Sequence, residues 1–178
     1  MNITIRNLKI KDLDDYYKMN HPSKKHHDYN GPYFARETED ELRDYVNSLK
    51  TKLEQNDPPN NKKIIANADT DEIIGSVLWN WRSKETLWLE IGIIIFNENY
   101  WNKGIATKAM TMWINQVFDQ HPEIVRIGLT TWSGNVGMCK VAEKIGLQEE
   151  ARYRKARIVN GEYYDSVSYG ILRDQWQV

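Results

Sequence analysis

Apolar residues are densest at positions 87–96, where every residue except Glu90 and Gly92 is Leu, Ile, Trp or Phe. A run this dense predicts a β-strand that is buried on both faces. Polar residues 97–103 interrupt the run and predict a loop. From Gly104 onward, apolar residues recur at helical spacing: Ile105, Ala109, Met112, Val117 and Phe118. The stretch therefore predicts a strand, a loop with one glycine and a long helix.

Similar patterns define the rest of the chain. Thr38 and Glu41 form a capping-box sequence ahead of apolar residues at helical spacing, and Asn160-Gly161 is a strong signal for a two-residue β-hairpin. The predicted strands are residues 2–8, 62–68, 73–81, 87–96, 124–131, 149–159 and 162–172. The predicted helices are residues 11–19, the helix from the capping box to Leu53, the helix after Gly104, and a helix from about Gly134 to Ile145 that Gly146 closes.

The resulting element order, β-α-α-β-β-β-α-β-α-β-β, predicts an α/β (mixed α+β) fold with a mixed central sheet flanked by helices. No linker, repeat or low-complexity tract divides the sequence. Because 178 residues suffice for one sizeable core, we expect a single domain over residues 1–178.

The junction between the central strand and its helix is a candidate anion site, with residues 101–106 at its core. The first N–H groups of a helix lack partners within the helix, and the helix dipole is positive there, so the site suits a phosphate. The segment is neither GxGxxG nor GxxxxGK[ST], so the usual dinucleotide and NTP loops are not present. A plain tight turn explains the junction equally well.

Two segments resemble a known family, the GNAT acyltransferases. Residues 101–107 are similar to its motif A, Gln/Arg-x-x-Gly-x-Gly/Ala, with Gly104 and Ala106 in place, Trp101 where Gln or Arg is usual and Asn102 where glycine is frequent. Residues 135–147 resemble its motif B, with Met138 in place of a small residue and Leu147 in place of Phe. The resemblance covers nearly the whole chain, and residues 99–107 and 156–169 are similar to the branch of ribosomal-protein N-acetyltransferases.

The resemblance implies acetyl-CoA as cosubstrate, a mostly antiparallel sheet, and a slot where the central strand and the next one splay apart. It implies a set of cofactor-binding residues: Ile93, Ile94 and Ile95 through their backbones, Trp101, Asn102, Lys103, Gly104, Ile105, Ala106, Thr107, Asn135 and Lys140. Simpler roles stay open for three of them. Lys103 and Lys140 could be solvated lysines, and Asn135 could serve only as a helix N-cap.

Glu90 is our candidate for the general base, because it is a lone carboxylate within an apolar strand, where burial would raise its pKa into a useful range. A carboxylate paired with a neighbour or exposed on the sheet is the alternative. The resemblance implies a hydroxyl or thiol near motif B that protonates the leaving thiolate. Ser133 and Thr131 are the available hydroxyls, and Cys139 stands near the expected place, with buried apolar packing as its simpler role. No histidine is placed to support a Cys-acyl intermediate, so direct transfer in a ternary complex is the simpler mechanism.

Composition and charge indicate which classes of partner to expect. A net charge of −1 offers no basic surface for nucleic acid, and no apolar run approaches the ~20 residues of a membrane helix. The single cysteine fits a reducing compartment, so we expect a cytoplasmic protein, either a monomer or a homodimer. Adjacent His26 and His27 beside Asp28 lie in a loop with no further ligand at a suitable spacing, so we expect no metal.

The acceptor is the least determined partner. The reaction implied by the resemblance needs a primary amine, on a protein N-terminus or a small molecule, and we expect it to approach between residues 29–36, the capping-box helix and the Asn160-Gly161 hairpin. Asp and Glu outnumber Lys and Arg only 25 to 24, so a polyamine is not favoured. A non-catalytic acyl-CoA-binding or sensing module of the same fold is the alternative function, given the departures at Trp101, Asn102 and Met138.

Overall fold

The computed structural model describes residues 1–177 and contains seven strands and four α-helices. The strands are β1 (Ile3–Arg6), β2 (Lys62–Asn67), β3 (Ile73–Ser83), β4 (Trp88–Ile95), β5 (Arg126–Trp132), β6 (Gln148–Val159) and β7 (Glu162–Leu172). The helices are α1 (Leu13–Asn20), α2 (Glu39–Glu54), α3 (Ile105–Gln120) and α4 (Val136–Lys144). All the predicted elements are present in the predicted order.

The strands form one sheet in the order β1-β2-β3-β4-β5-β7-β6. Every neighbouring pair is antiparallel except β4 and β5, which run parallel. The predicted α/β fold with a mostly antiparallel sheet flanked by helices is confirmed.

Helices cover both faces of the sheet. On one face α3 and α4 close the larger core, where Trp113 is fully buried and its indole Nε1–H donates to the Leu78 carbonyl at 3.0 Å. On the other face α1 and α2 pack over β2, β3 and the end of β4, with Tyr16 and Phe96 in edge-to-face contact. Because side chains alternate along a strand, each covered strand supplies residues to both cores.

Local sequence signals explain two of the boundaries. The Thr38 hydroxyl accepts from the Glu41 amide at 3.3 Å, and the Glu41 carboxylate accepts from the Thr38 amide at 2.7 Å, which is the capping box that the sequence predicts. Asn160 and Gly161 have φ of 51° and 83°, as a two-residue hairpin between β6 and β7 requires. The predicted hairpin is confirmed.

The prediction that the central strand is buried on both faces is wrong. Leu89 and Ile91 are buried, but Trp88 is 41% exposed and residues 93–95 are only half-buried. The reason is that β4 pairs with β5 only at Leu89–Ile127 and Glu90–Gly128, after which the two strands diverge. The splay that the family resemblance implies is therefore present, and it opens a gap beside the second half of β4.

Candidate active site

A cleft of about 480 Å³ fills the gap between β4 and β5. Its walls come from the second half of β4, the loop before α3, the first turn of α3, α4, and the loop between α1 and α2. Of the predicted cofactor-binding residues, all except Lys103 line this cleft. The structure thus brings together residues from two motifs that are some 30 positions apart in the chain.

The backbone of β4 is available on the cleft side at alternate residues. The Phe96 amide donates to the Ile74 carbonyl on β3 at 3.0 Å, and alternate residues of a strand direct their N–H and C=O groups to opposite neighbours. Ile93 and Ile95 therefore direct these groups toward β5, from which β4 has already parted. Ile94 directs its own toward β3, so of the three predicted backbones those of Ile93 and Ile95 face the gap.

The N-terminus of α3 faces the same cleft. Gly104 caps the helix with φ 75° and ψ 1°, a left-handed conformation that favours glycine. The first bond within the helix runs from the Lys108 amide to the Gly104 carbonyl, so the amides of Ile105, Ala106 and Thr107 have no helical partner. The first turn of α3 contains no acidic residue. These features together suit a bound anion.

Trp101 stands where the family usually has Gln or Arg, but its side chain holds the loop in place. Its indole Nε1–H donates to the Ile95 carbonyl at 3.0 Å and so fastens the loop to the end of β4. Lys103 is exposed and does not line the cleft, which favours the solvated lysine over a phosphate contact. Lys140 does line the cleft.

Asn135 is the N-cap of α4, as expected. Its side-chain oxygen accepts from the Met138 amide at 3.0 Å, and its Nδ2–H donates to the Tyr29 carbonyl at 3.2 Å. The Trp132 indole donates to the same carbonyl at 2.9 Å, and the Tyr29 ring meets Trp101 edge-to-face at 5.4 Å. Tyr29 therefore ties the loop between α1 and α2 to both sides of the gap.

Glu90 lies where β4 and β5 part, on the face of the sheet opposite α3. It is half-buried rather than buried, so the burial that we expected for a general base is only partial. Its carboxylate accepts from the Thr130 hydroxyl at 3.0 Å, and the Thr130 and Ser168 hydroxyls are 3.1 Å apart. Glu90 does not line the cleft but belongs to the last β4–β5 pair, beside the point where the gap opens.

The groups considered for protonating the thiolate do not reach the cleft. Thr131 is buried in the sheet, and the Ser133 hydroxyl accepts from the Asp165 amide at 3.0 Å. Burial raises the pKa of Cys139, whose thiol contacts the Trp132 carbonyl at 3.9 Å instead. The cleft-lining residues that carry a hydroxyl group are Tyr29, Tyr100 and Thr107.

His26 also lines the cleft, and the sequence gives no signal for it. The side chain is 3% exposed, its Nε2 pairs with the Met19 carbonyl at 2.9 Å, and burial lowers its pKa to about 4. A neutral imidazole is therefore expected at pH 7. Its burial depends on Phe96, seventy positions away, so local pattern could not have revealed it. No group of three metal-ligating side chains occurs within residues 1–177.

No helix in the described part of the chain is long and apolar enough to cross a membrane.

Residues 2–148 match the family model of the acetyltransferase (GNAT) domain. The uncharacterized N-acetyltransferase YnaD of Bacillus subtilis is 32% identical over 108 residues, which cover 61% of this chain and 62% of YnaD. The matched region thus spans less than two thirds of that relative.

Two solved structures share the fold along nearly the whole chain. Spermidine N-acetyltransferase from Vibrio cholerae, in complex with CoA and spermine, has a TM-score of 0.75 at 21% identity and covers 98% of this chain and 97% of its own. Ribosomal-protein-S5-alanine acetyltransferase from Vibrio fischeri has a TM-score of 0.73 at 18% identity and covers 100% and 97%. The motifs, the splayed sheet and the family match agree: the chain belongs to the GNAT acetyltransferases.

Proposed function

We propose that the protein transfers the acetyl group of acetyl-CoA to a primary amine by direct attack in a ternary complex. The observation that carries this proposal is the gap between β4 and β5. Along one side are β4 backbone groups that no strand pairs with, and at its end are the amides of residues 105–107, which have no helical partner. An extended, amide-containing arm that ends in a pyrophosphate is complementary to such a gap.

Each part of the cleft then has a role. The Ile93 and Ile95 backbone groups pair with the amides of the pantetheine arm, and one N–H polarises the thioester carbonyl. The amides of residues 105–107 hold the pyrophosphate, with Gly104 allowing close approach. Asn135 and Lys140 contact the arm and the phosphate end from α4, while Trp101 and Asn102 shape the loop.

Glu90 serves as the general base in this proposal. The acceptor arrives as an ammonium, and Glu90 takes its proton through a water molecule at the closed end of the cleft. The neutral nitrogen attacks the carbonyl carbon and becomes positively charged, and the C–S bond breaks. The thiolate takes a proton, and the nitrogen releases its surplus proton to the group that protonated the thiolate. Tyr100 is a candidate for that group, since its hydroxyl-bearing side chain lines the cleft.

The acceptor in this proposal is a singly charged amine, on a peptide N-terminus or a small amphipathic molecule. A polyamine needs free carboxylates, and three of those near its approach are already engaged. Glu39 pairs with Arg43 at 3.2 Å, Asp28 pairs with Arg36 at 2.8 Å, and Glu162 accepts from the Tyr164 hydroxyl. The two structural relatives act on different acceptors, so the shared fold does not decide between them. A cytoplasmic location agrees with the single cysteine and stays an expectation.

Release of the CoA thiol in the presence of an amine panel tests the proposal. We expect release that depends on amine, with an alanine-initiated peptide turned over more efficiently than spermidine or spermine. Binding of acetyl-CoA without release of thiol for any amine would instead support the non-catalytic acyl-CoA-binding module. A polyamine with the highest kcat/KM would refute the choice of acceptor but leave acetyl transfer in place.

A further inference from the structure

We propose that Arg157 binds a carboxylate of the acceptor at a distance from its amine, so that the enzyme selects peptide N-termini with an acidic residue a few positions along. The inference rests on the proposed function and narrows its acceptor. It depends on three observations: Glu90 and Arg157 share one face of the sheet, Arg157 has no counter-ion, and the two residues are well separated.

Glu90 and Arg157 lie on the same face of the sheet. Val167 and Tyr169 of β7 point into the core under α3 and α4, so the alternate residues Ser168 and Tyr164 point to the opposite face. Glu90 is joined to Ser168 through Thr130 by hydroxyl contacts. Arg157 is the cross-strand partner of Tyr164 and shares its side of the hairpin.

The guanidinium of Arg157 is held in place by an aromatic surface. It lies over the Tyr33 ring, 4.5 Å from the centroid, and thus joins the β6–β7 hairpin to the loop between α1 and α2. The neighbouring Tyr164 ring packs edge-to-face on Trp132 at 4.8 Å. Stacking occupies the flat face of a guanidinium and leaves its N–H edge free for a planar anion such as a carboxylate.

Most of that edge has no partner within residues 1–177. Arg157 forms no ion pair with Asp or Glu in residues 1–177, and its Nε–H is buried without a partner. Its Nη1–H donates to the Ala156 carbonyl at 3.3 Å. By contrast, Arg36 pairs with Asp28 and Arg152 pairs with both Glu149 and Asp165. A half-buried cation without a counter-ion is costly, and an acceptor carboxylate would remove that cost.

The spacing indicates the kind of acceptor. Tyr164, opposite Arg157, is four residues from Ser168, the last group of the hydroxyl chain that begins at Glu90. At roughly 3.3 Å per residue, this separation is about 13 Å along β7, and the three strand spacings from β4 to β6 add about 14 Å across the sheet. The backbones of Glu90 and Arg157 are therefore roughly 19 Å apart, a distance that the Arg157 side chain and an acceptor side chain each shorten by several ångströms. The amine and carboxylate of one amino acid are far closer than that. An extended peptide with its N-terminus near Glu90 would bring its third or fourth side chain to Arg157.

Steady-state kinetics on matched peptides test this assignment. The substrates are hexapeptide amides with a free N-terminal alanine and one Glu at position 2, 3, 4 or 5, each paired with a peptide that carries Gln at that position. At saturating acetyl-CoA, we expect kcat/KM for Glu at position 3 or 4 to exceed that for Gln about tenfold, as a charge-assisted hydrogen bond provides.

Arg157→Gln should abolish that preference and leave kcat/KM on the Gln peptides within about twofold of wild type. Arg157→Lys should keep part of it, since it retains the charge but not the planar edge. Arg154→Gln is the matched control, an exposed arginine on the same strand, and should keep the full preference.

Three results would overturn the assignment. One is a wild-type enzyme with no preference for Glu at any position, and another is a preference that survives Arg157→Gln. The third is an equal loss on Glu and Gln peptides, which would mean that Arg157 only positions the loop. Absence of thiol release with every amine would overturn the proposed function as well, so the two failures are distinguishable.

Discussion

The anion site at the start of α3 gives the sharpest test of cosubstrate binding, because Gly104 can be changed without filling occupied space. An ideal Cβ at Gly104 has no atom within 4 Å. Gly104→Ala and Gly104→Glu therefore carry the same backbone strain, about 1 kcal/mol for a side chain at φ 75°. They differ in a negative charge at the place assigned to the pyrophosphate.

The electrostatic difference can be bounded. A carboxylate about 6 Å from one phosphate charge is opposed by roughly 0.7 kcal/mol at the dielectric constant of water and by roughly 2.8 kcal/mol at an effective value of 20. The Kd of acetyl-CoA should therefore be about 3- to 100-fold higher for Gly104→Glu than for Gly104→Ala. Because the site is open to solvent, the ratio should fall as the salt concentration is raised.

Isothermal titration of both variants with acetyl-CoA measures this ratio, and thermal unfolding shows whether the two are equally stable, as the shared strain requires. Equal Kd values for Ala and Glu at low salt, with both variants folded, would show that the phosphates bind elsewhere. An equally large loss in both variants would indicate that backbone geometry rather than charge controls the site.

Two further predictions concern Glu90 and His26. Glu90→Gln should lower kcat by about 10²-fold and leave the Kd of acetyl-CoA unchanged, and a rate within twofold of wild type across the pH range would exclude Glu90 as the base. Burial lowers the pKa of His26 to about 4, against about 6.5 in an unfolded chain, so the unfolded state alone takes up this proton as the pH falls below 6.5. The wild type should lose about 1 to 2 kcal/mol of stability between pH 7 and pH 5 in denaturant titrations, and an equal loss in His26→Gln would contradict the assignment.

The sequence predicts the elements of this fold well because most of their signals are local. The capping box at Thr38, the Asn160-Gly161 hairpin and the Gly104 loop each act through neighbouring residues, so they can be identified without knowing the rest of the chain. Nearly all the cofactor-binding residues that the family motifs predict line the cleft, since each motif is one continuous segment.

Features that depend on distant partners could not be predicted in this way. The half-burial of residues 93–95 arises from the divergence of β5, and no property of β4 encodes it. His26 reaches the cleft because Phe96 and the end of α1 surround it. Trp101 stands where the family usually has Gln or Arg, but its indole donates a hydrogen bond to the Ile95 carbonyl. The loop sequence alone does not reveal this contact.

The parting of β4 from β5 also bears on solubility. Exposed strand edges invite pairing with other chains, and proteins protect them with charges and bulges. The outer edge strand β6 has both, with several Arg, Lys and Glu residues and a break in register between Tyr153 and Arg157. The inner edge of β4 at residues 93–95 has neither and consists of three isoleucines. A ligand lying along that edge would shield it from strand addition, so we expect the ligand-free enzyme to aggregate more readily.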